Sequence, residues 1–98
     1  MTRYVTGTYE HPDGTPHKGS VLFSPTVVIH NGEEIVLPAA SRVRLDATGS
    51  FGVTLACTDD SEWSPEGWAW KVIEKVEGGR TFYFELPDGD DVNLASLT

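Results

Sequence analysis

The stretch Arg42–Leu55, RVRLDATGSFGVTL, decides the fold that the sequence predicts. Apolar and polar side chains alternate in both of its halves, and a period of two is typical of strands with one buried and one exposed face. Asp46–Gly49 lies between the halves, and Gly49 can take the positive φ that closes a four-residue connection. We therefore predict a hairpin here. Because a single hairpin is marginal in water, other strands must cover its apolar face.

The rest of the chain supplies further strands. Short runs of β-branched and aromatic residues alternate with turns rich in Gly, Pro, Asn and Asp. Beyond the central hairpin, we predict strands at 3–9, 20–24, 26–30, 35–37, 68–76, 80–86 and 92–97. No stretch keeps a 3.6-residue apolar period, so essentially no helix is expected. This pattern predicts an all-β domain over residues 1–98, a single antiparallel β-sandwich of about seven to nine short strands, immunoglobulin-like or transthyretin-like.

Composition restricts the partners. The chain has 98 residues, enough for one domain, and 15 acidic against 7 basic residues give a net charge of −8. Such a surface repels phosphate backbones and anionic lipids, so nucleic acid is not expected as a partner. No apolar run approaches the roughly 20 residues that cross a bilayer, and no signal-peptide pattern opens the chain, so no membrane insertion is expected. Cys57 is the single cysteine, which fits folding in a reducing cytosol.

The sequence predicts neither an enzyme nor a cofactor or metal site. A nucleophilic triad needs Ser or Cys beside His and a carboxylate, but Cys57 is predicted at a strand end and the histidines in or beside turns. His11, Asp13 and His17 flank one turn, in a spacing that matches no zinc pattern. The Asp88–Asn93 turn offers oxygens for calcium, yet the EF-hand spacing is absent and an Asp- and Gly-rich turn explains the same residues.

Trp63 stands outside the predicted strands and is the candidate contact for a glycan. Its neighbours Asp59, Asp60 and Glu62 give it the setting of a ring that stacks on a sugar while polar groups bind the hydroxyls. Under that interpretation the 59–66 loop is a carbohydrate-binding surface. The alternative is that Trp63 folds back to cap one end of the sandwich and buries a large apolar area.

Strand edges and tyrosines are the candidate protein contacts. An exposed edge such as 26–30 can pair with another copy or another protein. Tyr4, Tyr9 and Tyr83 fall on predicted strands, where they are either interface residues or partly exposed strand positions.

Three stretches together resemble the β-sandwich modules of minor tail and tail-fibre proteins in phages that infect actinobacteria. Val5–Pro25 has the form V-x-G-x-Y-x-x-P-D-G-T-P-x-x-G-x-V-x-F-x-P, and Arg44–Asp60 contains L-D-x-x-G-S-F-x-V-x-L-x-x-T-D-D. The third stretch is Ser64–Val76 plus Phe82–Leu97, which contains S-P-x-G-W-x-W-x-V and then L-P and V-N-L-A-S-L. The first stretch is also similar to carboxypeptidase-regulatory-like and transthyretin-like domains.

The phage resemblance implies a non-enzymatic structural or attachment protein that acts through protein–protein contacts in the virion tail or fibre. It also implies synthesis in the host cytoplasm. The implied partners are other tail or fibre proteins and further copies of the chain, with a trimer favoured. The alternative function is a carbohydrate-binding module that contacts a glycan of the host cell envelope through the 59–66 loop.

Overall fold

The structure, a computed structural model, describes residues 2–97. Its strands are β1 (Thr2–Thr8), β2 (Ser20–Pro25), β3 (Ile29–His30), β4 (Ile35–Val36), β5 (Ser41–Arg44), β6 (Ser50–Ala56), β7 (Trp70–Lys75), β8 (Thr81–Phe84) and β9 (Val92–Asn93). The all-β prediction is confirmed. The predicted strand at 92–97 is wrong in its second half, where Leu94–Ser96 forms a 3-10 turn. The Asn93 side chain starts that turn by accepting a hydrogen bond from the Ala95 N–H.

Two sheets pack face to face. The small sheet has the order β6-β1-β9 and the large sheet the order β5-β2-β7-β8. Val5 and Phe51 of the small sheet lie in one apolar core with Phe23 and Val72 of the large sheet, so the predicted β-sandwich is confirmed. All strand pairs in residues 2–97 are antiparallel except β1 with β9, which is parallel.

The predicted hairpin at Arg42–Leu55 is wrong in its pairing. β5 pairs with β2 of the large sheet, whereas β6 pairs with β1 of the small sheet, so the chain crosses between sheets at 45–49. The Asp46 carboxylate fixes the crossing by accepting hydrogen bonds from the N–H groups of Thr48 and Ser50. β5 and β6 face the same core from opposite sides, and they therefore show the alternation that a paired hairpin would also show.

Between β2 and β5 the chain forms a separate two-stranded hairpin, here termed the arm (residues 26–38). β3 and β4 pair in it, and the Asn31 side chain accepts hydrogen bonds from the Glu33 and Glu34 N–H groups in the Asn31-Gly32 turn between them. Ile29 is fully buried. A pair of backbone hydrogen bonds, 3.0 and 2.8 Å long, joins His30 to Ser64. The arm is thus fixed to the body of the sandwich at one end of the large sheet.

Aromatic side chains fill much of the core. Trp68 and Trp70 pack edge to face with ring centroids 5.2 Å apart, and the Trp70 Nε1–H donates to the Ala56 carbonyl at 3.0 Å. This bond ties β7 to the end of β6 in the opposite sheet. Phe84 is buried, whereas Phe82 is half-buried, with the Arg80 guanidinium 4.7 Å from its ring centre.

Candidate functional site

Trp63 belongs to the core. Only 9% of the residue is exposed, and it packs in the same apolar cluster as the strand residues. Trp63 therefore folds back to cap one end of the sandwich, as in the alternative interpretation, and its ring has no open face on which a sugar could stack. Asp59 and Asp60 hold neighbouring backbone instead: Asp59 accepts a hydrogen bond from the Asp88 N–H, and Asp60 accepts one from the Glu62 N–H.

The three candidate tyrosines do not form one surface. Tyr4 alternates with buried Val5 on β1, and Tyr83 alternates with buried Phe84 on β8, so these two side chains lie on opposite outer faces of the sandwich. Tyr9 is half-buried, and its hydroxyl donates a 2.6 Å hydrogen bond to Glu74. Tyr9 thus has a role inside the domain, whereas Tyr4 and Tyr83 remain exposed.

The side chains of the 11–17 turn, the candidate zinc ligands, contact each other and the turn backbone. The His11 and His17 rings stack with centroids 3.9 Å apart, and the Asp13 carboxylate accepts hydrogen bonds from the Thr15 N–H and hydroxyl. Those bonds lower the pKa of Asp13. No group of three His, Cys, Asp or Glu side chains in residues 2–97 is arranged to hold a metal ion.

The 88–93 turn is held by the first strand. The Arg3 guanidinium donates to the carbonyls of Asp90 and Pro87, at 2.6 and 2.9 Å. The Asn93 amide oxygen caps the 3-10 turn that follows. Two backbone carbonyls at this turn and the Asn93 amide oxygen are therefore engaged in closing the sandwich.

Cys57 is fully buried immediately after β6. Burial, together with the nearby Asp88 and Asp59 carboxylates, raises the pKa of its thiol. A thiol that stays protonated and inaccessible is a poor nucleophile and a poor metal ligand.

A charged network that the sequence analysis missed lies at the other end of the sandwich. Glu74 sits on the inward side of β7, with 2% of its side chain exposed, beside Arg80. The Arg80 guanidinium donates Nε–H to Oε1 at 2.8 Å and Nη2–H to Oε2 at 3.1 Å, and the Arg80 backbone N–H donates to Oε1 at 2.8 Å. The Tyr9 hydroxyl completes the set at Oε2.

These contacts keep Glu74 ionised. Burial by itself raises the pKa of Glu74, but the hydrogen bonds from Arg80 and Tyr9 outweigh it and the pKa is lowered. Burial and the bond to Glu74 in turn raise the pKa of the Tyr9 hydroxyl. With both carboxylate oxygens occupied by donors, Glu74 has no free lone pair directed at a substrate, so its role is structural. The position was detectable, since Glu74 continues the inward series of Trp70 and Val72.

The exposed apolar surface of the chain is concentrated on the arm. Ile35 and Leu37 expose 71% and 61% of their surface, and Val27 and Val28 are also exposed. They share a hairpin with Ile29, whose side chain faces the core. The arm therefore presents one buried side and one apolar, solvent-facing side.

Comparison with protein-family models gives no matching family, and comparison with curated proteins gives no matching protein. No helix within residues 2–97 has the length and apolar character needed to cross a membrane.

Proposed function

We propose that this chain is a non-enzymatic structural or attachment protein of a phage tail or fibre, acting through protein–protein contacts made by the arm. The observation that carries the proposal is the cluster of exposed aliphatic side chains on one hairpin. Contiguous exposed apolar surface of this kind marks interaction sites in soluble domains, whereas isolated exposed aliphatics are ordinary.

The energetics of the arm support a contact role. Burying Ile35 and Leu37 against a partner contributes about 1.5–3 kcal/mol for each side chain. Ile29 and the backbone bonds between His30 and Ser64 already hold the arm in place. Little conformational entropy is then lost on binding, so more of the burial energy is available as affinity.

The assignment to a phage tail is supported by the resemblance of Val5–Pro25, Arg44–Asp60 and Ser64–Leu97 to tail and fibre modules, and by the β-sandwich fold that such modules share. A glycan-binding function through the 59–66 loop has less support, because Trp63 is buried. We therefore keep the protein-contact function.

Mass spectrometry of purified virions from the phage that encodes this chain tests the location. We expect its peptides at a stoichiometry comparable with other tail proteins. Their absence from the particles would refute the virion role.

Carboxyl footprinting of the same particles tests the arm. We expect Glu33 and Glu34 to be labelled in the free protein, diluted until it has the mass of one chain, and protected in the virion, while the remote, exposed Asp13 is labelled in both. Equal labelling of the arm carboxylates in the two samples would contradict a contact there.

A further inference from the structure

The outer face of the large sheet concentrates the basic residues of this acidic chain. Three registered rows cross β5, β2, β7 and β8 on that face, and together they define what is termed here the cationic face. The rows are Arg44–Ser20–Lys75, Arg42–Leu22–Ile73–Thr81 and Ser24–Lys71–Tyr83. Each row holds at least one cation, and none holds an acidic residue. Apart from the inward-facing Glu74, the next acids along β5, β7 and β8 lie beyond the strand ends: Asp46 follows β5, Glu77 follows β7 and Glu85 follows β8.

The cations of this face are available to a partner. The rows hold four of the seven basic residues of the chain: Arg42, Arg44, Lys71 and Lys75. The rest of the chain therefore has only three basic residues against fifteen acidic ones. Within residues 2–97, none of the four forms an ion pair. Alternation accounts for their common side, since buried Val21, Phe23 and Val72 occupy the intervening positions.

The cationic face also has an apolar centre. Leu22 and Ile73 are half-buried neighbours in the middle row, and Tyr83 is exposed at its β8 edge. A polyanion needs only regularly spaced cations, whereas cations around apolar side chains match a protein surface with carboxylates beside aliphatic groups.

The arm has that chemistry. Glu33 and Glu34 are exposed in its turn and directly precede the two most exposed aliphatics, Ile35 and Leu37. Both acids bind Asn31 through their backbone: their N–H groups donate to its side chain, and the Glu34 carbonyl accepts from its N–H, which leaves the two carboxylates outside these bonds. The loops at 59–66 and 88–91 are also acidic, but neither holds any of the exposed large apolar side chains.

We propose that the cationic face is the docking site for the arm of a second copy of this chain. This rests on the proposed function, since it names the partner of the same arm. Glu33 and Glu34 of one copy lie against Arg42, Arg44 and the lysines of the next, and Ile35 and Leu37 cover Leu22 and Ile73. The contact is intermolecular because Ile29 and the His30–Ser64 bonds hold each arm at the end of its own sheet.

An arm-to-face contact joins two unlike surfaces of the chain. It is either exchanged reciprocally in a dimer, closed into a ring such as a trimer, or continued as an open filament. The measured mass of the assembly distinguishes these three arrangements.

A charge-swap experiment with light scattering tests the contact. The arm variant carries Glu33→Lys and Glu34→Lys, and the face variant carries Arg42→Glu, Arg44→Glu, Lys71→Glu and Lys75→Glu. Each alone has like charges on both surfaces, so we expect self-association of each to weaken by about tenfold or more relative to the wild type. In an equimolar mixture the arm of each variant can again meet a face of opposite charge. We expect assembly to return in full for a reciprocal dimer or a filament, and with two of three contacts for a trimer ring.

Lys18→Glu is the control, because it changes charge outside the cationic face, in the 9–19 connection. We expect it to assemble as the wild type does. Circular dichroism and tryptophan fluorescence establish that each variant is folded. A mixture that stays monomeric while the wild type assembles, or a face variant that assembles normally, overturns the docking site.

A wild type that stays at the monomer mass at every concentration also overturns it. That result leaves the proposed function standing if the chain is found in virions with its arm protected, because the partner is then a different tail protein. If the chain is absent from virions and its charge-swapped variants nevertheless reassemble, the docking site is supported and the virion role is refuted.

Discussion

Replacing Arg80 by methionine removes the counter-charge of a buried carboxylate. The Arg80→Met variant loses the guanidinium hydrogen bonds to both oxygens of Glu74 but keeps an apolar stem over Phe82. Glu74 retains the Tyr9 hydroxyl and the backbone N–H of residue 80. It remains almost wholly shielded from water, with 2% of its side chain exposed.

The expected loss of unfolding free energy at pH 7 follows from this burial. Removing one partner of a buried ion pair costs about 3–5 kcal/mol, since an uncompensated charge is left inside. Arg80 is 59% exposed, and screening by solvent weakens the pair. We therefore expect about 3 kcal/mol, at the low end of that range, measured by urea denaturation followed by tryptophan fluorescence.

The same variant has a defined pH dependence. In the wild type the pKa of Glu74 is lowered below its ordinary 4.5, so the pair stabilises the fold above that value and this contribution is lost as pH falls through the folded-state pKa. In Arg80→Met, burial dominates and the pKa rises above the unfolded value. The variant then loses stability as pH rises from the unfolded-state pKa through the raised folded-state pKa of Glu74. Its deficit in unfolding free energy relative to the wild type is therefore largest at pH 7 and shrinks toward about pH 4.

Two comparisons isolate the contribution of the ion pair. Arg42→Met is the matched control at an exposed arginine that forms no ion pair with residues 2–97, and we expect its effect to stay within about 0.5 kcal/mol. In a Glu74→Gln background, Arg80→Met should cost much less than in the wild type. A deficit for Arg80→Met that is below about 1 kcal/mol, or the same at both pH values, would refute the reasoning.

Three further predictions concern the crossing, the capping tryptophan and the thiol. Gly49 has φ +77°, and a Cβ there would lie 2.5 Å from the Tyr9 carbonyl oxygen, so Gly49→Ala should lower the unfolding free energy by about 2–3 kcal/mol. The control Gly14→Ala, at φ +87° in open space, should lower it by only about 1 kcal/mol. Equal shifts of the melting temperature for the two variants would contradict this. Trp63→Ala should cost about 3–5 kcal/mol in urea denaturation, whereas a loss under about 1 would mean that the ring does not cap the core. Cys57 should react with an aromatic disulfide reagent about a hundredfold more slowly in the native than in the urea-unfolded protein, and equal rates would show that the thiol is accessible.

The sequence predicts the parts of this fold that depend on local order. Alternation places Trp70 and Val72 on the core side of β7 because side-chain direction repeats every two residues within one strand. The Asn31-Gly32 pair predicts the turn of the arm because the asparagine side chain satisfies the turn backbone over two to three residues. These features need no knowledge of distant partners.

Pairing between strands depends on residues far apart in the chain, and here local patterns are ambiguous. The alternation in Arg42–Leu55 fits both a hairpin and a crossing between sheets, because β5 and β6 face one core in either case. The cationic face likewise depends on strand pairing that local patterns do not determine. Arg42 and Arg44 belong with Lys71 and Lys75 only once β2 is known to lie between β5 and β7.

Loops lack the periodicity that assigns a strand residue to one face. The polar neighbours of Trp63 favour a solvent-facing ring, but they bind backbone nearby while the indole enters the core. Burial of an indole removes a large apolar area from water, and this gain outweighs the polarity of the adjacent residues in sequence.

The most direct test of the arm as the contact surface is the solution mass by light scattering during size-exclusion chromatography, at two concentrations. We predict that the wild type exceeds its chain mass of 10.7 kDa and that the mass rises with concentration. The Ile35→Ser and Leu37→Ser double variant should elute at the chain mass at both concentrations, while Tyr4→Ser, on the opposite sheet, should behave as the wild type. A wild type and a double variant of identical mass at both concentrations would contradict self-association through the arm.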